Sequence, residues 1–353
     1  MRLQYEKANK RSRNILIILG LAAVLSAVLC MFVGVSRMSP AESAAALFGK
    51  GSAADVRIMR NIRLPRVLAA LIAGAGLSVS GLVMQTVLGN SMASPSTLGV
   101  SNAAVFGANL SIIAFAGGFL STGNNVSGYM SGANPYATST MAFLFSLLSV
   151  LLILVLCRIR AFSPNVVVLS GIAIGSVWTA ATTVLQFYAT DVGLSAAVIW
   201  NFGDLGRATY KTDLLMACAV AAGLFYFILM RWRYNALLSG DTAAKSMGVN
   251  VDRLRFVSLL LASMITAVCV SFLGTIGFVG IICPHVVKKL LGQDHRFVIG
   301  ASALTGSILL LLADTLSRSI GSGSALPVGA VTSLLGAPFF MAIIFSKGDA
   351  HHD

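Results

Sequence analysis

The stretch RLPRVLAALIAGAGLSVSGLVMQTV, Arg63 to Val87, decides the fold. After Arg66 it contains no Asp, Glu, Lys or Arg, and an apolar run of about 20 residues is what a helix needs to cross a bilayer. Pro65 suits the first turn of a helix and disfavours helical backbone at Leu64, so the helix starts there. Gly74 and Ser78, like Gly76 and Ser80, stand four apart. Small residues at that spacing let helix backbones approach closely in lipid.

Runs of the same kind recur on both sides of it. The pattern predicts spans at roughly 15–35, 64–84, 98–119, 139–157, 166–187, 212–230, 256–274, 276–291, 297–317 and 327–345. The 353 residues are 57% hydrophobic and 10% charged, with a mean hydropathy of +0.86, far too little charge for a soluble surface. The expected fold is an all-α integral membrane protein, with about ten transmembrane helices in one compact bundle. The run Ile15–Val35 exceeds a signal-peptide core of about 7–15 residues and reads as the first span. Gly171 and Gly175 repeat the small-residue spacing, which implies packing and no chemistry. The stretch Gly117–Ser139, free of Asp, Glu, Lys and Arg, reads as a loop to which no function attaches.

The net charge of +13 would suggest nucleic acid in a soluble chain. Here the basic residues lie almost entirely between the apolar runs, as orientation signals do. Arg2, Lys7, Lys10, Arg11 and Arg13 place the N-terminus in the cytoplasm, and an even span count places the C-terminus there too. Residues 1–14 are then a cytoplasmic tail, 15–345 the transmembrane domain with its longest inner loop at 231–255, and 346–353 a second cytoplasmic tail. One stretch resists the positive-inside trend: Arg37, Lys50, Arg57, Arg60, Arg63 and Arg66 fall outside. Arg66 also sits at a helix N-terminus, where the dipole disfavours a cation. Headgroup anchoring is the plain explanation, and docking of an acidic partner accounts for both anomalies.

Several chemistries lack their residues. No GxxxxGK[ST] loop occurs, so ATP must be bound and hydrolysed elsewhere. The five cysteines form no CxxC pair and read as small packing residues. Cys283, His285 and His295 do not have the spacing of a compact tetrahedral set, so no metal site is expected. An ion-coupled carrier places ionisable residues within its spans. The acidic candidate, Asp314, has Arg318 four residues on, the spacing of a structural ion pair. A membrane enzyme would need clustered polar side chains, and none are apparent.

Three segments carry a resemblance: Arg63 to Ala104; GTIGFVGIICPHVVKKLLGQDHR from Gly274 to Arg296; and LLLLADTLSR from Leu309 to Arg318 with LPVGAVTSLLGAPFF from Leu326 to Phe340. Their order and spacing resemble the permease family of the iron-siderophore and cobalamin ABC importers. One departure is local: the family's Asn-Pro-Leu-Ala turn after the second span is here Asn90, Ser91, Met92 and Ala93.

The resemblance implies a prokaryotic multi-pass permease of the cell membrane with no ATP site or cofactor of its own. It implies two cytoplasmic ATPase subunits that bind the ATP, an extracytoplasmic binding protein, and a second permease copy or sister permease. The cargo it implies is an iron(III)-siderophore or a related chelate such as haem or cobalamin. Arg63, Arg66 and Arg318 match the positions that meet the binding protein's glutamates. In DTAAKSMGVNVDR, Ala243, Ala244 and Gly248 have the spacing of the loop that couples to the ATPase. Read physically, that loop is a short helix followed by a Gly able to take positive φ. Pro284 cannot donate to the carbonyl of Gly280, so those two residues mark a helix that can flex as the pathway opens.

Overall fold

The computed structural model describes residues 2–34, 38–116, 134–159, 164–320 and 326–348. Most of the 117–139 loop and the end of the 346–353 tail lie outside the described residues. The described chain is helical: α1 Arg2–Phe32, α2 Pro40–Leu47, α3 Ala53–Arg57, α4 Leu64–Val87, α5 Val100–Asn109, α6 Pro135–Ile159, α7 Pro164–Phe187, α8 Asp191–Asn201, α9 Tyr210–Leu229, α10 Arg231–Leu237, α11 Asp241–Ser246, α12 Val251–Leu273, α13 Val279–Leu291, α14 His295–Ile320 and α15 Val328–Gly348. Seven of these, among the described residues, are long and apolar enough to cross a membrane.

The expected spans at 98–119 and 276–291 correspond to shorter helices. The first is α5, continued through a wide turn to Phe115. The second begins only at Val279, because Gly274 (φ 80°) and Phe278 (φ 65°) break the helical path before it. Its 13 residues rise about 20 Å, short of a hydrocarbon core of about 30 Å.

Within the stretch read as one transmembrane domain, the helices group into two compact units. One comprises residues 1–82, 205–235 and 276–353; the other comprises residues 83–204 and 236–275. In the first, α4 is the buried centre and α1 the exposed edge. Ile17, Ile18, Leu21, Val24, Leu25 and Leu29 of α1 lie exposed on the protein surface, as lipid-facing side chains do.

The small residues of α4 are explained by two neighbours. A Cβ on Gly74 would lie 2.7 Å from the Gly306 carbonyl carbon of α14. Ser78 donates to the Ser302 carbonyl and Ser307 to the Leu71 carbonyl, both at 2.7 Å. Further along, a Cβ on Gly81 would fall on the backbone of Gly280, and one on Gly280 would come within 2.9 Å of the Leu77 carbonyl. Gly280 therefore lacks a side chain because α4 occupies the space, whatever Pro284 requires. On the far side of α13, the Phe278 ring covers the position a Cβ on Gly336 would take.

In the second unit, α5 packs along α6 so closely that a Cβ on Gly107 would meet Met141 and Ala142 of α6. Gly171 and Gly175 of α7 admit the backbone of Thr97–Gly99, so that GxxxG step faces a loop. Asn109 donates to the Val105 carbonyl at 2.7 Å and to Asn201 at 3.1 Å, and accepts from Gln186 at 3.0 Å. These bonds join α5, α7 and α8 through a buried amide network. The turn without its proline is made by Asn90, whose side chain accepts from the Met92 amide at 2.9 Å, an Asx-turn.

The backbone contact at Gly81 predicts that Gly81→Leu lowers the stability of the purified protein by about 1–3 kcal/mol, the usual cost of forced overpacking. Thermal unfolding in detergent reads this; an unchanged midpoint would show that α4 and α13 are free to separate.

Candidate functional site

The structure brings Arg63, Arg66 and Arg318 together at the C-terminal end of α1. Arg66 Nε donates to Asp314 Oδ1 at 2.7 Å, and Arg318 Nε meets the other oxygen, Oδ2, at 3.0 Å. Arg63 Nη1 donates to the carbonyls of Met31 (2.9 Å) and Phe32 (3.2 Å). Arg318 adds bonds to the carbonyls of Val33 (2.5 Å) and Cys30 (3.3 Å).

The reason lies in α1. Its last carbonyls have no intrahelical donors, and its last turn carries no basic residue. Arg63, just before α4, and Arg318 of α14 supply both the donors and the positive charge that a helix C-terminus favours. Arg66, expected at a helix N-terminus, instead lies within a helical run continuous from Ala53 to Val87 through a wide turn at Ile58–Arg63, and its guanidinium is paired with Asp314.

A docking site for an acidic partner implies side chains at the surface, whereas these three are buried. Arg63, Arg66 and Arg318 are only 3%, 9% and 7% exposed, and Asp314 is 2% exposed. The Asp314–Arg318 pair expected from their spacing is present. What the sequence left hidden is that Arg66, 248 residues away along the chain, shares the same carboxylate.

The loop with the Ala-Ala-x-x-x-Gly spacing forms α11 and a left-handed exit. Ala244 is fully buried and packs the short helix down, whereas Met247 is 57% exposed. Gly248 has φ 81° with open space around it. Its amide donates to the Lys245 carbonyl, and Val249 reaches back to the Ala244 carbonyl, each at 3.0 Å. The segment thus presents an exposed turn on a well-capped helix, a shape that seats in a groove of another protein.

Two acids escaped notice in the sequence. Asp294 accepts from Asn235 at 2.8 Å and from Arg296 Nε at 2.7 Å, so it ties the end of α10 to the start of α14. Burial pushes its carboxyl up, but the side-chain and backbone bonds from Arg296, the bond from Asn235 and the Arg296 charge outweigh this and hold it at about 2. Asp213, near the start of α9, is 3% exposed, and neither carboxylate oxygen has a hydrogen-bond partner. No local sequence signal marks Asp213, because its burial depends on its neighbours in space.

Among the described residues no group of three His, Cys, Asp or Glu side chains is placed to hold a metal. His295 instead shares the Asn235 side chain and stacks near Tyr234.

Apolar helices in excess of any soluble core, an arginine cluster at one helix end and an exposed turn at Gly248 define a multi-pass transport subunit. The chain belongs to the FecCD transport family, whose model matches residues 21–346, and is the permease of an ABC importer. It is 44% identical over 342 residues to an ABC transporter permease protein of Methanocaldococcus jannaschii, covering 97% of both chains. It is 32% identical to the iron(3+)-hydroxamate import system permease protein of Bacillus subtilis, over 88% of this chain and 90% of the relative. A solved structure described as an inward-facing metal-chelate type ABC transporter superposes with a TM-score of 0.78 at 28% identity, covering 95% and 99% of the two chains. In importers of this kind ATP is bound by a separate ATPase subunit, and a binding protein is the other typical partner.

Asp314→Asn should destabilise the permease by about 3–5 kcal/mol, because it strands two buried cations. Asp314→Glu should retain most of that stability. An unaltered unfolding midpoint for the Asn variant would show that Arg66 and Arg318 do not depend on the carboxylate.

Proposed function

We propose that this permease imports an iron(III) chelate of the siderophore class, taken from a binding protein that docks on the Arg63–Arg66–Arg318 cluster. The observation that carries the docking reading is the local charge. Three guanidinium groups gather at the end of α1, two of them on the Asp314 carboxylate and the third on α1 carbonyls, a concentration of positive charge that suits the acids of a docking partner. The iron cargo rests on the hydroxamate relative and on the metal-chelate type transporter with the similar fold.

In this reading ten helices cross the membrane with both termini in the cytoplasm, the shorter α5 and α13 and the 21-residue α15 included. Two copies, or this chain and a sister permease, form the pathway, and two ATPase subunits engage Ala243, Ala244 and Gly248. The chain does no covalent chemistry. It alternates between two states with access from opposite sides, and nucleotide-driven movement at α11 selects between them. Flexing at Gly280 and Pro284 contributes to the opening, with the close contact at Gly81 as its fulcrum.

Proteoliposomes carrying the permease and ATPase should take up an iron(III)-hydroxamate only with ATP and the binding protein. Uptake by this chain alone, abolished by an uncoupler, would instead establish an ion-coupled carrier. Arg63→Glu should weaken binding-protein association about tenfold at physiological salt. Unchanged association would leave Arg63 only as the cap of α1. Gly248→Arg should leave the chain inserted but separate ATP hydrolysis from uptake, since it adds bulk at the contact and strains a left-handed position.

A further inference from the structure

Arg255, in the second turn of α12, is 6% exposed and binds two elements at once. Its Nη1 and Nη2 donate to the two carboxylate oxygens of Asp241 at 2.7 and 2.8 Å. Its Nε donates at 2.7 Å to the carbonyl of Val87, the last residue of α4. Asp241 is the first residue of α11. One planar guanidinium therefore clamps the start of α11 to the end of α4.

The Val87 carbonyl has a particular need for this donor. At the end of α4 the carbonyls of Met84, Gln85 and Thr86 accept from the amides of Leu88, Asn90 and Gly89. The following turn thus serves the three carbonyls before Val87, and Arg255 serves Val87. A cation is also what the helix C-terminus favours. The same turn forms one wall of an open cleft of about 580 Å³, at Leu88, Gly89, Asn90 and Ser91. Pro164, Asn165 and Leu169 at the start of α7 help form the other wall.

We propose that Arg255 is a positioning residue that transmits movement of the coupling helix to the end of α4, and so to the turn that walls this cleft. The inference rests on the ABC-importer reading and on α11 as the ATPase contact. The bidentate Asp241–Arg255 pair is rigid in both distance and plane, so a displacement of α11 is carried to Val87 without the slack of a single hydrogen bond. Asp241, partly exposed, lies on the surface where the ATPase acts, while Arg255 is buried. The route from surface to helix end is two side chains long. A lysine in place of Arg255 keeps the charge and loses the fork. It serves Asp241 or Val87, but not both in this geometry.

The test uses the complete importer in proteoliposomes, with ATP-driven uptake by the wild type established first. Arg255→Lys, Asp241→Asn and the double variant are then compared for uptake per ATP hydrolysed, with ATPase co-purification as the check on assembly. The expected result is a fall of about 3- to 10-fold in that ratio for each single variant. The double variant should be no worse than either single one, because all three break one linkage. An unchanged ratio overturns the proposal. So does a parallel loss of uptake and hydrolysis, which is what removal of a structural strut alone produces. Additive losses in the double variant would also overturn it, since the two residues would then act separately. Absence of ATP-driven uptake in the wild type would overturn the importer reading itself, which keeps the two failures apart.

Discussion

Every backbone carbonyl at the end of a membrane helix must find a donor, and in hydrocarbon water does not supply it. In this permease the solution at two helix ends is a buried arginine from elsewhere in the chain. Arg63 and Arg318 cap α1, and Arg255 caps α4. Each carries a positive charge to the negative end of a helix dipole, and two of the three are paired with an aspartate. The guanidinium suits this task because its several donors lie in one plane and can bind a carbonyl and a carboxylate at once. Remove these side chains and the buried carbonyls at the ends of α1 and α4 lose their donors, at a cost of about 1–3 kcal/mol each.

This constraint also explains which parts of the structure the sequence disclosed. The helix ending at Val87 and the need for close neighbours at Gly74 and Ser78 were legible, because each follows from local chemistry at fixed spacing. The start expected at Pro65 is absent, since Leu64 is helical (φ −65°, ψ −50°) and the helix runs on from Ala53 through a wide turn at Ile58–Arg63. The positive φ at Gly248 was legible for the same reason. The Asp314–Arg318 pair was visible because its members stand one helical turn apart. Arg66 as a third member was not, since nothing along the chain links it to Asp314. The burial of the arginines was misread because charge along a sequence indicates polarity, not depth. Long side chains reach helix ends that sequence spacing does not reveal.

The helix count met a similar limit. An apolar run predicts a lipid-compatible segment, but its helical length depends on backbone breaks. The run after Gly274 is apolar throughout, yet Phe278 takes a left-handed conformation, unusual for a bulky residue and with some strain attached. Its ring is held over Gly336, so the packing of α15 supports the break. The shortened α13 then places Gly280 against Gly81. Here Pro284 alone suggested a flexible point, whereas the structure adds a fixed point four residues before it. A helix pinned near one end and weakened in its middle bends more readily than it slides.

The two arginine-capped ends have the same construction and opposite consequences. At α1 the cap gathers three buried guanidinium groups, two of them on Asp314, a concentration of positive charge that fits the acidic docking partner proposed above. At α4 the cap is neutralised by Asp241 and leaves no excess, so it has little to offer a charged partner. What it offers instead is stiffness, because a bidentate pair resists both stretching and rotation. A charge-rich site suits recognition, which must be reversible. A charge-balanced, bidentate link, buried on its Arg255 side, suits the transfer of force. Two arginines on Asp314 with a third on neighbouring carbonyls at one end, and the one-to-one pairing of Asp241 with Arg255 at the other, are therefore one capping device carried out with two different arrangements of charge.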